Sequence, residues 1–354
     1  LSNSNMELSR KQWIFVVILV LGFIAMGGVA GFLFAAILSF VPAYYYLRSI
    51  RDSEKKDKEP WDALKLAFAW GAISGVFLAI VFNGLGISLL LIFLSEGSPD
   101  YDNLVLILSV VVVAPIVEEF VKPIVMFRNV SVRSNIDEVE DGLVYGAACG
   151  LGFGATENVL YGLSEEAVSV GYLGILAVVI LRTVSSILLH LVATSFTGHG
   201  ISKYLVEGQP FTVVVKYYFL AVLIHAAWNG AAVYSMIYTD NFGGVLVLIF
   251  SIMLAVGGLE FSKRRIREID LEGSNIFSNQ IRSTEVSKTW GDSSKWDKPA
   301  GASSEVISKE GSTSPTLYSS TDTTPAENWF SNIDWKSALG TGIFLLFILG
   351  DMLI

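Results

Sequence analysis

The chain has 354 residues, 53% of them hydrophobic and only 16% charged, with a formal net charge of −9 and a mean hydropathy of +0.57. Soluble domains carry about a quarter charged residues, so this composition points to a polytopic membrane protein. It excludes a nucleic-acid binder, because no basic domain is present, and the single cysteine, Cys149, excludes a disulfide framework or a cysteine-based metal finger.

Apolar runs of about 20 residues span the hydrocarbon of a bilayer. In chain order they fall near 13–27, 30–47, 62–82, 105–127, 142–162, 171–197, 212–238 and 243–260. The first run feeds straight into the second across Gly27 and Gly28, which argues against a cleavable signal peptide and for a tight helical hairpin. Residues 84–96 (GLGISLLLIFLSE) are too short for a span of their own and read as a re-entrant piece or an extension of the third helix. From about 268 to 337 the chain turns rich in Ser, Thr, Gly and acidic residues, a composition that cannot bury enough apolar surface to offset chain entropy. The expected organisation is a cytoplasmic N-terminus (1–12), a transmembrane core (13–260), a disordered linker (261–337) and a hydrophobic end (338–354). A ninth span is preferred for that end over a surface anchor. The fold class is therefore all-α: a polytopic transmembrane bundle of about eight spans, nine with the final segment, carrying a disordered cytoplasmic tail.

Charge sets the orientation. Arg10, Lys11, the loop RSIRDSEKKDKE at 48–59, Arg128, Arg133, Lys203 and KRRIR at 263–267 fall on one side, whereas SEGSPDYDN, SEEA and TDN on the other contain no lysine or arginine. By the positive-inside rule the N-terminus, the basic loops and the tail of this integral cell-membrane protein face the cytoplasm.

Against that apolar background the stretch APIVEEFVKP at 114–123 stands out. Each charged residue at the centre of a membrane helix costs about 2.5–3.5 kcal/mol, so Glu118, Glu119 and Lys122 together cost on the order of 8–10 kcal/mol before pairing. Lys122 lies four residues after Glu118 and three after Glu119, within reach of either, and its pairing leaves one carboxylate over. Three further spans carry polar groups one helical turn apart. These are Phe153, Glu157 and Tyr161, with Asn158 beside them; Ser186, His190 and Thr194; and His225 with Asn229. At a rise of roughly 1.5 Å per residue, Glu118, Glu157, His190 and His225 share a layer near the middle of the membrane.

A single buried ion pair is ordinary packing, and a single membrane histidine usually bonds helix to helix. Several ionisable groups at one depth on four helices are instead a functional candidate. Gly142, Gly146, Gly150, Gly152 and Gly154 allow the close helix approach that such a cavity needs. His199 reads as an interfacial residue and Arg182 as a snorkelling one.

Glutamate and histidine in a confined polar cavity are equipment for activating water, with the carboxylate as base and the histidine orienting water or binding metal. A second histidine with an asparagine one turn on suits a developing oxyanion. No GxSxG or HExxH motif is present. His190, His225 and a glutamate, with Glu157 assigned, make a candidate His₂Glu zinc site assembled from separate helices.

These residues carry a resemblance. EEFVK at 118–122 resembles the EExxK motif of the PrsW family of intramembrane proteases, and FGATENVLY at 153–161 resembles its FxxxExxxY motif. His190 and HAAWN at 225–229 are similar to the two later histidine motifs, and the segment 44–71 to the loop that precedes the next span. The likeness covers roughly residues 30–240 with the motifs in order. It implies hydrolysis of peptide bonds in a membrane-anchored protein substrate within the lipid bilayer, with Glu118 or Glu119 and His190 activating water. It further implies His225 and Asn229 at the oxyanion, Glu157 completing the site, and Lys122, Phe153 and Tyr161 in support. Whether such an enzyme is a metalloprotease holding zinc or a glutamic-type protease stays open at this stage. An ion- or proton-coupled transporter using the same carboxylates, or an inactive scaffold, are the readings from other classes.

Overall fold

The computed structural model describes residues 10–55, 58–94, 100–237, 249–269 and 271. Among them the architecture is helical, with no strand. Helix α1 (Arg10–Arg51) comprises two helices joined at Gly28, whose φ of 70° and ψ of 170° lie where only glycine is at ease. The break expected at Gly27–Gly28 is thus confined to one residue. Helix α2 (Trp61–Ala69), a π turn (Trp70–Gly75) and α3 (Val76–Phe93) run on as one span of 33 residues. Residues 84–93 are therefore the extension of the third helix and not a re-entrant piece. Helix α4 (Tyr101–Ile107), a second π turn (Leu108–Val113), α5 (Ala114–Val121), a 3₁₀ turn (Lys122–Ile124) and α6 (Val125–Arg128) form the next span, followed by the single turn α7 (Val130–Arg133).

Helix α8 (Asp141–Gly162) is followed by the short α9 (Glu165–Ser169), then α10 (Tyr172–Val184), α11 (Ser186–Leu205) and α12 (Thr212–Ile237). The span expected over 171–197 is in fact two helices, interrupted at Ser185 (φ −125°, ψ −72°). The Ser185 hydroxyl donates to the Leu181 carbonyl at 2.8 Å, a local bond that competes with continuous helix. Residues 249–269 are helical as well. The linker predicted from 261 therefore starts later. Phe261 stacks on Phe196 with ring centroids 6.0 Å apart, and Ser262 and Ile266 are buried, so one face of this basic stretch packs on the bundle. The side chains of most of 13–27, and all of 272–354, lie outside the described residues.

Among the described residues, five helices are long and apolar enough to cross a bilayer: Gly28–Arg51, Trp61–Phe93, Tyr101–Arg128, Tyr172–Leu205 and Thr212–Tyr234. Helix α8 is not among them, and its packing says why. Nearly all its residues are buried against other helices, so glycine and polar residues replace the aliphatic side chains that lipid would demand. A β-carbon at Gly150 would fall 2.2 Å from the His190 carbonyl oxygen, and one at Gly152 would fall 2.0 Å from that of Phe68. Backbone touches backbone on two faces, α11 on one and α2 on the other. The expected close approach is real, and it places α8 at the centre of the fold.

Candidate active site

The central cluster starts from a backbone irregularity. In the π turn before α5 the Ala114 amide bonds to the Ser109 carbonyl, five residues back. In that pattern the Val110 carbonyl would accept from residue 115, but Pro115 has no N–H. The Asn229 side-chain amide supplies the missing donor at 2.7 Å. Asn229 therefore holds the turn that precedes Glu118 and Glu119. That bond uses one of the two amide N–H groups of Asn229.

Glu119 is fully buried and held by three short bonds. Its Oε1 lies 2.7 Å from Lys122 Nζ and 2.8 Å from His225 Nδ1, and its Oε2 accepts from the Thr194 hydroxyl at 2.9 Å. Glu118 is held more loosely. Its Oε2 is 3.4 Å from Lys122 Nζ and 3.8 Å from His225 Nε2, and Asn83 Nδ2 reaches its Oε1 at 3.5 Å. Lys122 thus reaches both carboxylates, with the shorter contact to Glu119 and the longer one to Glu118.

Lys122 also donates to His190 Nδ1 at 2.9 Å, and its ammonium stands 4.2 Å from the centre of the Phe153 ring. On the far side of the imidazole, His190 Nε2 meets Glu157 Oε2 at 2.8 Å. Glu157 is in turn bound by Arg182 Nη2 at 2.7 Å, while Arg182 Nε donates to Asn158 at 3.0 Å and the guanidinium lies 3.7 Å from the centre of the Tyr161 ring. Arg182 is thus turned inward and does not snorkel. With Glu157 on the neighbouring helix, an ion pair inside the bundle is worth more than a reach toward the interface. Phe153 and Tyr161 share one function, each presenting a ring face to a buried cation. His199 is buried as well, T-stacked on Tyr217 at 5.0 Å, so it is not exposed at an interface.

The partners fix the tautomers. Each histidine directs one N–H at a carboxylate, His225 Nδ1 at Glu119 and His190 Nε2 at Glu157. That leaves lone pairs on His225 Nε2 and His190 Nδ1. Glu118, His190 and His225 each offer a ligand atom within 4.8 Å of the others, and all three are buried. The group whose spacing could hold a metal ion thus contains Glu118 beside the two histidines, where the sequence expectation has Glu157. Glu157 belongs behind His190, as Glu119 belongs behind His225. Histidines backed by carboxylates are the usual way a protein orients ligating imidazoles. Three carboxylates here face two permanent cations, which leaves one buried negative charge for a proton or a bound cation to neutralise.

A profile described as PrsW family intramembrane metalloprotease matches residues 59–256, which contain every residue named above. The chain belongs to the PrsW family. Protease PrsW of Clostridioides difficile (strain 630) is 29% identical to it over 222 residues, covering 62% of this chain and 85% of that protein. No solved structure matches the chain. As a PrsW family member it is an integral membrane protein and an intramembrane protease acting on protein substrate. Two residues that the motifs do not contain also contact the centre: Arg182, expected to snorkel, binds Glu157, and Asn83 reaches Glu118.

Proposed function

We propose that this protease hydrolyses peptide bonds of membrane-anchored substrates with water held between Glu118, His190 and His225, and that Glu118 is the proton acceptor. The contrast between the two adjacent glutamates carries this reading. Glu119 is held by short bonds to Lys122, His225 and Thr194, whereas Glu118 has only long contacts. Glu119 and Glu157 orient the two imidazoles, so that His225 Nε2 turns its lone pair to the water, while the His190 Nδ1 lone pair accepts from Lys122. Glu118 takes a proton from that water as its oxygen attacks the peptide carbonyl, and the same carboxyl returns the proton to the departing amine, which keeps the charge balance of the buried cluster. Lys122, anchored by Glu119, limits the negative charge that builds up beside it.

The family is described as metalloproteases, and the residues present fit a zinc ion. Two neutral imidazoles and a carboxylate within 4.8 Å are a His₂Glu donor set. Glu118, His190 and His225 would hold it, and His190 Nδ1 would exchange the Lys122 ammonium for the ion. When bound, such an ion supplies Lewis acidity that makes water a nucleophile near neutral pH.

The placement of the basic helix ends supports a cytoplasmic N-terminus. Arg51, Arg128 and Lys203 close alternate spans on one face. The test of the mechanism compares Glu118→Gln with Glu119→Gln. New N-termini of membrane proteins are counted by mass spectrometry in cells expressing each variant. Glu118→Gln is expected to lower cleavage about a thousandfold with unchanged thermal stability. Glu119→Gln is expected to lower stability first. Cleavage by Glu118→Gln at the wild-type level would rule the assignment out.

A further inference from the structure

A second group of carboxylates is buried where the loop between α1 and α2 meets the first turn of α8. One oxygen from each of Glu54, Glu59 and Asp141 lies within 4.8 Å of the other two. The three residues are 1%, 4% and 1% exposed. We propose that they bind a hard divalent cation, of the Mg²⁺ or Ca²⁺ class, which clamps this loop onto the N-terminus of α8.

The hydrogen bonds around the cluster come from neutral donors, and Glu59 and Asp141 bond to each other through one shared proton, which leaves two of the three negative charges uncompensated. Glu54 Oε2 accepts from the Glu59 amide at 3.1 Å, and Asp141 Oδ2 accepts from the amides of Asp137 and Glu138 at 2.9 and 2.6 Å. The Tyr145 hydroxyl donates to Glu59 Oε2. The Arg51 guanidinium, the expected counter-ion, donates to the Glu59 backbone carbonyl at 2.6 Å. Among the described residues none of the three carboxylates is in an ion pair. The second oxygen of Glu54 has no hydrogen-bond partner although it is buried. A buried, unpartnered carboxylate oxygen is expensive unless a cation meets it. Oxygen-only donors without histidine or cysteine select magnesium and calcium over zinc, which distinguishes this group from the Glu118, His190 and His225 set. A cation here would join two loops that the sequence separates by about eighty residues, at the membrane face where the positive-inside rule places the cytoplasm.

Tb³⁺, a luminescent stand-in for hard cations, tests this on the full chain in uncharged detergent after chelator treatment. The ion is excited through nearby aromatic rings, Tyr145 foremost. The expected result is saturable emission at one Tb³⁺ per chain, displaced by Ca²⁺ or Mg²⁺, at least tenfold weaker in Glu54→Gln and unchanged in His190→Ala. Asp141→Asn provides a second variant should Glu54→Gln fail to fold. Absence of saturable emission in the wild type would show that protons fill the cluster and would overturn the proposal. Equal emission from wild type and Glu54→Gln, or emission lost only in His190→Ala, would overturn it as well.

Discussion

Replacing Gly150 by alanine is expected to disable the centre without touching a polar residue. The added β-carbon would lie 2.2 Å from the His190 carbonyl oxygen and 2.6 Å from its carbonyl carbon, whereas ordinary contact begins at 3.4 Å. Both are backbone atoms of a helix, so no side chain can swing away, and α8 and α11 must part by about 1.2 Å. His190 rides on α11 and Glu157 on α8, so the 2.8 Å bond between them is stretched beyond hydrogen-bond range. Overpacking of this kind costs about 1–3 kcal/mol of stability. A displacement of about 1 Å at a catalytic group lowers turnover about a hundredfold. The assay is initial cleavage rate at saturating substrate in proteoliposomes, read beside the thermal midpoint in detergent. Gly84→Ala is the control, since nothing lies within 4 Å of a β-carbon there. Wild-type turnover by Gly150→Ala, or equal damage from both substitutions, would refute the argument from helix contact.

Three other outcomes follow from the same geometry. Arg182→Met should leave Glu157 as an uncompensated buried charge and destabilise the fold by about 3–5 kcal/mol, measured by thermal or chemical unfolding, whereas a snorkelling arginine would be nearly silent. Asn229→Ala should release the Val110 carbonyl and cost about 1–3 kcal/mol, with Asn229→Gln failing to restore it because the longer side chain misplaces the amide. If the centre holds zinc, metal analysis of purified protein should give one equivalent, lost in His190→Ala, His225→Ala and Glu118→Gln but retained in Glu157→Gln; retention in Glu118→Gln with loss in Glu157→Gln would restore the ligand set first read from the sequence.

The residues of the centre were legible because they violate the membrane's solvent rule. Glu118, Glu119, Lys122, Glu157, His190 and His225 cannot face lipid cheaply, so their depth alone gathers them. Their division of labour was not legible. Which glutamate backs a histidine depends on which helices are neighbours, and the spacing of residues along one helix holds no information about that. Hence Glu157 was placed among the metal ligands, and Arg182 was turned toward water. The backbone irregularities were hidden for a related reason. The π turns at 70–75 and 108–113 and the break at Ser185 sit inside uninterrupted apolar runs, where composition reads only as membrane. Pro115 signalled loosened hydrogen bonding, but the donor that repairs it, Asn229, lies more than a hundred residues away.

The glycine-lined surface of α8 has a consequence for how the chain is made. A segment with this many glycines and internal polar groups partitions weakly into lipid by itself. Its proper surroundings are other helices, and α11, which covers one of its faces, is synthesised after it. During synthesis the ribosome must therefore deliver a helix one of whose packing partners does not yet exist. Stable insertion of residues 141–162 then waits on the arrival of residues 186–205, and the protease centre is completed only when α12 brings His225. A chain stopped before α11 has neither His190 nor a settled α8, so a nascent protease has no means of cutting until its central helix is enclosed.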